Sequence, residues 1–532
     1  MNMLFIHYTD IGGIPMKLNY KRTILVGFAF FLISAFWQAY DATIPVILTN
    51  KFGMSQTWSG VIMALDNILA VFLLPIFGTL SDKCSTKYGK RTPFITLGTI
   101  LAAVALIGLS FVDNLQLKNI SAVATIDDPA ALEAIYDAQA DSNLLTPEGD
   151  TVVLSEAFSK EEFTAIRCKI TDPETGKTIT NPDYTNYVAP ARQAYAAAQT
   201  KANTLPLILF VLLLLVVLLS MATFRSPAVA LMPDVTMKPL RSKANAIINL
   251  MGTAGGILVL VLGMVFSTSA VQNAMMSYTV YYAIIAAIML TALTIFLCTV
   301  REPKWAAEMA ADSVKYGIEE AVADNAEHRS LSSAEKKSLI CILLSIALWY
   351  FGYNAVTSKY AVYAGNILDK DYNTTMLLAQ AAAIVAYLPA GTIASKIGRK
   401  KTILAGVVML TAAFGCAAFM RSSSPTLVMN ILFALAGVAW ATINVNSFPM
   451  VVEMCSGADI GKYTGFYYTA SMSAQIATPM LSGLLMDKMG MTVLFPYAAI
   501  FVALAFVTMF LVKHGDAKIT PKSGLEAFDS ED

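Results

Sequence analysis

The sequence predicts an all-α membrane protein whose twelve transmembrane helices form two six-helix bundles, with an extracytoplasmic insertion between helices 3 and 4. Three observations lead to this prediction. The chain of 532 residues is 56% hydrophobic and 14% charged, its mean hydropathy is +0.60, and its two halves resemble each other. Since soluble globular domains are far less apolar, we expect this chain to have the lipid bilayer as a partner.

Twelve apolar runs are long enough to cross a bilayer. A hydrocarbon core about 30 Å thick requires about 20 residues of helix, because each backbone amide must find its partner within the same segment. The predicted spans are 23–48, 57–80, 93–112, 204–224, 244–266, 279–300, 338–357, 374–394, 402–420, 426–449, 463–486 and 492–512. Lysines and arginines concentrate in the loops after helices 2, 4, 6 and 8. Since these residues resist translocation, we expect a multi-pass protein of the cell membrane with both termini in the cytoplasm.

Two longer connections divide the chain. Residues 113–203 are acidic and polar, contain helical periodicity, and are placed outside the cytoplasm by the predicted topology. Residues 301–336 form a charged cytoplasmic linker. The linker separates an N-terminal six-helix bundle (1–300) from a C-terminal bundle with a short tail (337–532).

Composition argues against several classes of function. The formal net charge is zero, so no general basic field favours a nucleic-acid partner. The three histidines lie outside the apolar runs, which excludes a histidine proton relay within the membrane, and the six cysteines show no CxxC spacing of a zinc or redox site. No nucleophile, base and orienting group converge. We therefore predict no cofactor, no metal and no enzymatic activity.

Equivalent loops follow the second helix of each half. The first loop contains Gly78, Asp82, Gly89, Lys90 and Arg91. The second contains Gly398, Arg399 and Lys400, with Ser395 in place of the acid. Glycine permits a tight turn, and a carboxylate can bind cations or the start of a neighbouring helix. We predict that these residues gate the cytoplasmic side, together with Arg225 and Asp234 after helix 4.

These loops resemble the signature loop of the major facilitator superfamily. The stretch from Ser81 to Ile95 is similar to the corresponding loop of the glycoside-pentoside-hexuronide:cation symporters and of the related sucrose transporters. The resemblance implies alternating access and uptake of a sugar or glycoside with a proton or a sodium ion. In melibiose permeases a cation-binding carboxylate stands directly before the proline that matches Pro75, whereas Leu74 stands here. The resemblance therefore does not imply cation binding at position 74.

Asp41 in helix 1 and Asp66 in helix 2 are the clear carboxylates within apolar runs. A charge at bilayer depth is costly unless it is paired, protonated or hydrated, so such residues indicate function. Both aspartates are predicted at similar depth. We predict that they bind the coupling proton or sodium ion, with Asn67 as a co-ligand. The alternative is a structural hydrogen bond to a neighbouring helix.

Aromatic and amide side chains coincide on four helices. Aromatic faces can stack on sugar rings, and amides can bind pairs of hydroxyl groups. The predicted substrate-binding residues are Trp37, Gln38 and Tyr40 on helix 1, Trp349, Tyr353 and Asn354 on helix 7, Trp440 and Asn444 on helix 10, and Tyr467 and Gln475 on helix 11. For any single tyrosine, a position in the aromatic belt at the membrane surface is the simpler interpretation.

The sequence thus predicts a monomeric, cation-coupled sugar symporter, with two alternatives. The first is the same fold carrying a drug, a peptide or an organic anion. An anion carrier should place an arginine or lysine mid-helix, and the predicted spans contain none at the midplane, since Lys359 lies towards the outer end of helix 7. The second is a non-transporting membrane sensor that uses residues 113–203 as its sensory domain.

Overall fold

The protein is almost entirely helical. The computed structural model describes residues 18–171, 176, 178–237, 240–315, 331–452, 454 and 460–514. Within these residues, 10 helices are long and apolar enough to cross a membrane. Two further long helices, at 372–397 and 460–489, coincide with the predicted spans 8 and 11.

Three long helices open the N-terminal half. They are α1 (Tyr20–Val46), α2 (Gln56–Lys83) and α3 (Thr92–Asn119). Helix α1 continues as a π-helical turn to Lys51. The side chain of Ser55 accepts a hydrogen bond from the Trp58 amide and caps the start of α2. Pro93 lies in the first turn of α3, where its missing N–H costs no helical hydrogen bond.

The described residues between 120 and 204 form a small domain between the third and fourth long helices, here called the insertion. Its elements are α4 (Pro129–Gln139), β1 (Leu144–Leu145), β2 (Thr151–Val152), α5 (Leu154–Ala157), α6 (Lys160–Ala165), β3 (Lys169–Thr171), β4 (Thr178–Thr180) and α7 (Ala189–Ala202). Strands β1 and β2 pair antiparallel, as do β3 and β4. Leu132, Phe163 and Val188 are fully buried in a hydrophobic core that belongs to the insertion.

Three more long helices complete the N-terminal half, and a short one follows. They are α8 (Leu205–Asp234), α9 (Arg241–Phe266), α10 (Thr279–Thr299) and α11 (Glu302–Lys315). Helix α8 continues beyond its predicted end at 224, which the sequence analysis placed before the charged Arg225. A charge within a long apolar helix is tolerated where it faces an interior cavity, and Arg225 lies in such a position.

Six long helices form the C-terminal half. They are α12 (Ser333–Tyr363), α13 (Tyr372–Ile397), α14 (Arg399–Ala417), α15 (Thr426–Val452), α16 (Ile460–Met489) and α17 (Leu494–Phe510). A capping box of Ser332 and Glu335 begins α12. Each half has its own hydrophobic core, centred on residues such as Phe36 and Trp349.

In the described part of the chain, three helix pairs pack across the two halves: α2 against α16, α9 against α13, and α1 against α12. Glycines allow α2 and α16 to approach closely. A Cβ atom at Gly60 would lie 2.0 Å from the Pro479 carbonyl oxygen, and one at Gly483 would lie 2.2 Å from the Gln56 carbonyl oxygen. Small residues at such crossings bring helix backbones into direct contact.

A buried ion pair ties the end of α1 to α3. Lys51 Nζ lies 2.6 Å from Asp113 Oδ2, and both side chains are fully buried. The same Nζ donates to the Met276 carbonyl oxygen at 2.8 Å and lies 4.6 Å from the centre of the Tyr278 ring. The pair is not predicted from the sequence, because the predicted spans end at 48 and 112, before Lys51 and Asp113.

Loss of one partner should destabilise the protein more than loss of both. Lys51→Met leaves the Asp113 carboxylate buried without a counter-charge, at a cost of about 3–5 kcal/mol. Lys51→Met combined with Asp113→Leu leaves no unpaired charge. Thermal unfolding of the purified protein in detergent should show a lowered Tm for the single variant and recovery of most of the loss in the double variant. A double variant as unstable as the single one would contradict this account.

Candidate functional site

A cavity of about 170 Å³ lies between the halves, within the long helices. Helices α1, α2, α8, α12 and α16 contribute its lining. Of the residues predicted to bind the coupling ion or the substrate, those that line it are Trp37, Tyr40, Asp41, Asp66, Asn67, Asn354 and Gln475. The cavity therefore brings together acids, amides and aromatic rings from both halves.

Asp41 and Asp66 both line this cavity and interact electrostatically with each other. Asp66 Oδ1 accepts a hydrogen bond from Asn67 Nδ2 at 2.8 Å. Among the residues that the structure describes, none donates a hydrogen bond to the Asp41 carboxylate. A carboxylate in this environment can take up a proton or bind a cation, because either one neutralises the desolvated charge.

Arg225 brings a positive charge to the same cavity. Its guanidinium carbon lies 5.7 Å from the centre of the Trp37 ring, within cation–π distance. Its charge also interacts with that of Asp66. Because α8 continues through Arg225, this residue lies within a helix and lines the cavity, and not in a loop after helix 4. Its role in gating stays a prediction. The position of Arg225 removes the sequence-based argument against an anion carrier, which depended on there being no mid-helix arginine.

Two hydrogen-bonding groups of the cavity have no partner in the described part of the chain. They are the indole Nε1 of Trp37 and the hydroxyl of Tyr40, and both atoms are buried. The two rings meet edge to face, with 5.3 Å between their centroids. Because an unsatisfied buried polar group is costly, these atoms mark positions where a bound solute or water would form hydrogen bonds.

The other predicted substrate residues pack between helices. Tyr353 stacks on Trp440, with 3.6 Å between ring centroids and 5° between the ring planes. Trp349 is fully buried in the C-terminal core. Asn444 lies beside Tyr387. The hydroxyl of Tyr467 lies 3.2 Å from Ser447 Oγ.

Gln38, predicted as a substrate residue, instead bridges the two halves. Its Oε1 accepts a hydrogen bond from Gln380 Nε2 at 2.6 Å, and its own Nε2 donates to the Tyr372 hydroxyl at 3.3 Å. Both partners belong to α13. Gln38 thus joins α1 to α13 next to the cavity.

The halves also join at the end of the bundle that carries the insertion, here called the insertion end. Asp487 on α16 accepts hydrogen bonds from the backbone amides of Gln56 and Thr57, each at 2.7 Å, and so caps α2 of the other half. Lys359 on α12 is fully buried and donates to the Gln56 carbonyl oxygen at 2.5 Å. These bonds close the insertion end.

The insertion itself contacts the C-terminal half, although it connects two helices of the N-terminal half. The backbone amide of Thr180 donates to Asp369 Oδ2 at 3.1 Å. The amide of Met491 donates to the Pro147 carbonyl oxygen at 2.7 Å. Lys169 Nζ lies 3.6 Å from Asp369 Oδ1. The insertion therefore bridges the closed end.

Arg91 organises the opposite end of the N-terminal half, here called the linker end. Its guanidinium lies 2.5 Å from Asp82 Oδ1 and 2.7 Å from Asp234 Oδ2. Although burial lowers the pKa of Arg91, the hydrogen bonds and charges of Asp234 and Asp82 hold it above its ordinary value. Arg91 stays charged and ties α2, α3 and α8 together.

Gly78 lies where α2 meets α8, because a Cβ there would be 2.9 Å from Ser226 Oγ.

Glu302, which the sequence analysis missed, completes this cluster. Its carboxylate accepts hydrogen bonds from the amides of Lys90 at 2.6 Å, Arg91 at 2.9 Å and Thr92 at 2.8 Å, so it caps the start of α3. Gly89 has φ +115°, and a Cβ there would lie 2.2 Å from the same carboxylate carbon. Lys90 contributes its backbone amide to this cluster. In the sequence, Glu302 stands out only as an acid that follows Arg301 after the sixth apolar run.

The equivalent loop of the C-terminal half uses different chemistry. Gly398 has φ +94° and separates α13 from α14, which Arg399 begins. Lys400 Nζ donates to the carbonyl oxygens of Phe510 at 2.9 Å and Val512 at 2.5 Å, at the end of α17. A cation at the C-terminus of a helix is electrostatically favourable.

Two family models match the chain, one in each half. The model described as Major Facilitator Superfamily matches residues 342–528. The model described as MFS/sugar transport protein matches residues 25–124.

Curated relatives match shorter stretches. The MFS-type transporter ppzB of Metarhizium rileyi (strain RCEF 4871) is 27% identical over 142 residues, which are 26% of this chain and 29% of the relative. The proton-associated sugar transporter A of Homo sapiens is 29% identical over 106 residues, or 20% of this chain and 14% of the relative. The sucrose transport protein SUC4 of Arabidopsis thaliana is 32% identical over 70 residues, or 13% of this chain and 14% of the relative. The matched stretches thus span less than a third of each relative.

The solved structures show a likeness of fold along nearly the whole chain. The inward-open xylose transporter XylE from E. coli superimposes with a TM-score of 0.57 at 14% sequence identity, covering 96% of this chain and 98% of that chain. The resemblance predicted from the signature loops is confirmed, and transport rather than enzymatic activity is the property of this family. In sequence, the chain is similar to the major facilitator superfamily in each of its halves.

Proposed function

We propose that the protein is a cation-coupled symporter for a sugar or glycoside, working by alternating access. The observation that carries the proposal is the pair Asp41 and Asp66 in a cavity between the halves, beside the unpartnered donors of Trp37 and Tyr40. A charge within the bilayer is retained where it serves transport of an ion or solute. Sequence similarity to sucrose and proton-associated sugar transporters supports this solute class.

The proposed topology has twelve spans, which are the ten apolar helices together with α13 and α16. The linker end, rich in lysine and arginine, faces the cytoplasm with both termini, and the insertion lies outside the cytoplasm. Residues 1–300 and 337–532 are the two moving bundles, joined by the linker at 301–336. We propose a monomer in the cell membrane.

The proposed cycle couples the charge of the two aspartates to closure of the cavity. A proton or sodium ion neutralises Asp41 or Asp66, with the Asn67 amide as a neighbour. The solute then binds Trp37, Tyr40, Asn354 and Gln475, which belong to both halves. Once the ion has neutralised the acid, the loaded cavity can be enclosed without a bare charge.

Asp41→Asn and Asp66→Asn should uncouple transport. An amide keeps the shape of the side chain but cannot release a proton or neutralise a sodium ion. We expect gradient-driven accumulation of the sugar in proteoliposomes to fall at least about tenfold, the effect of losing about 1.4 kcal/mol of ion binding. Exchange of labelled for unlabelled sugar without a gradient should persist in at least one variant. The measurement is uptake of a panel of labelled mono- and disaccharides under imposed proton or sodium gradients.

The control is Asp183→Asn, which removes an exposed carboxylate from the insertion. It should leave accumulation unchanged. Accumulation at the parent level in both Asp41→Asn and Asp66→Asn would exclude these residues from coupling. Gradient-driven uptake of none of the sugars by the parent would overturn the sugar assignment.

Arg225 supports a second candidate function, which is transport of an organic anion such as a sugar acid. A guanidinium in the cavity can bind a carboxylate through two parallel hydrogen bonds. Its interaction with Asp66 partly neutralises it before any solute enters. The two candidates differ in whether Arg225 binds the solute or serves only as a counter-charge to Asp66.

Arg225→Gln and Arg225→Lys distinguish these roles in uptake of a neutral hexose and of its uronate. If a sugar acid is the solute, Arg225→Gln should raise the KM for the uronate about tenfold or more, the effect of one charge-assisted hydrogen bond. Arg225→Lys should retain part of the affinity. Equal KM changes for the neutral and acidic sugar would contradict the anion candidate.

A further inference from the structure

A second cavity lies under the insertion, separate from the central one. Its volume is about 50 Å³. Its walls come from three parts of the molecule: α1 and the α9–α10 loop of the N-terminal half, the outer end of α12 in the C-terminal half, and α7 of the insertion. Polar residues of its lining include Asn50, Tyr184, Arg192 and Asn366.

Arg192 is the charged side chain of this cavity, and it is 2% exposed. Its Nη1 donates to the Tyr184 hydroxyl at 2.5 Å. Its Nε and Nη2 have no hydrogen-bond partner in the described part of the chain. These two nitrogens form one edge of the guanidinium, and that edge binds the two oxygens of a carboxylate or phosphate side by side.

No carboxylate in the described residues lies within ion-pair distance of Arg192. Asp127 is the acid that acts on neighbouring Tyr184, and its Oδ1 instead accepts a hydrogen bond from the Cys168 amide at 2.6 Å. Burial raises the pKa of Tyr184 to about 12, so its hydroxyl stays neutral. A buried guanidinium therefore lacks a negative partner from the described chain, although buried charges in proteins are normally paired.

We propose that Arg192 binds a small oxyanion, a carboxylate or phosphate, in this cavity. The anion would lie on the Nε–Nη2 edge, with the polar side chains of Asn50 and Asn366 as further wall groups. A water molecule needs about 10–15 Å³ of such space, so the cavity of about 50 Å³ has room for about three to five water-sized groups, the size of an acetate or phosphate ion. This site is independent of the proposed sugar transport.

The test is oxyanion-dependent stability of the full-length protein in detergent. Sodium acetate and sodium phosphate are titrated separately, with ionic strength held constant by sodium chloride, and Tm is recorded. We expect a saturable rise in Tm with at least one oxyanion, because a ligand that binds only the folded state stabilises it. If both titrations raise the Tm, the oxyanion whose effect saturates at the lower concentration is the preferred ligand.

Arg192→Gln should weaken the apparent affinity about tenfold or more, because it removes the charge and the edge that binds two oxygens. Arg192→Lys keeps the charge without that edge and should lose the preference for oxyanion over chloride. Arg167→Gln removes an exposed arginine of the insertion and should behave as the parent.

Three results would overturn the proposal. The first is a parent protein whose Tm does not change with either oxyanion, which means that water alone fills the cavity. The second is a rise in Tm that is as large in Arg192→Gln and Arg192→Lys as in the parent. The third is loss of the response in Arg167→Gln to the same extent as in Arg192→Gln. Should Arg192→Gln fail to fold, the parent and Arg192→Lys titrations decide the question.

Discussion

Holding charged side chains inside an apolar helical bundle is energetically costly, and the packing of the two halves reflects this cost. Asp41, Asp66 and Arg225 lie in helices long enough to cross a membrane, and all three line one cavity between the halves. In lipid such groups would be desolvated without compensation, whereas a polar cavity provides counter-charges, amides and space for water. At the depth of these three residues, tight apolar packing between the halves would leave the charges desolvated. A polar cavity is therefore needed there.

The hydrogen bonds described between the halves lie mainly at the insertion end, so the two ends of the cavity differ. At the insertion end, Asp487 and Lys359 bind the start of α2 from the other half, and the insertion adds a further contact at Asp369. At the linker end, Arg91 and Glu302 instead bind within the N-terminal half. Opening the insertion end must therefore break hydrogen bonds between halves, whereas the cluster at the linker end can move as one body. This arrangement favours rocking of two rigid halves about the cavity.

Much of the fold could be predicted from the sequence, because the apolar runs and the repeated loops depend on local composition. Asp41 and Asp66 could be singled out for the same reason, since a carboxylate in an apolar run is visible without a structure. The position of Arg225 within α8 could not be predicted, because a charged residue normally marks the end of an apolar span. Glu302 was missed because its partners are backbone amides 210 to 212 positions away. Lys51 and Asp113 were missed because each lies just past an apolar run, and their pairing depends on tertiary contact.

Alternating access requires the two ends of the bundle to move in opposite directions, and distances between spin labels measure this movement. One label pair at Ser277 and Ser423 spans the halves at the insertion end, and another at Lys87 and Lys396 spans them at the linker end, all at exposed positions. In a variant without reactive native cysteines, double electron–electron resonance in lipid would be recorded with and without a transported sugar and its coupling ion. The account predicts that the distance across the insertion end lengthens in the same population in which the distance across the linker end shortens. Distances that stay fixed at both ends, or that change in the same direction, would contradict it.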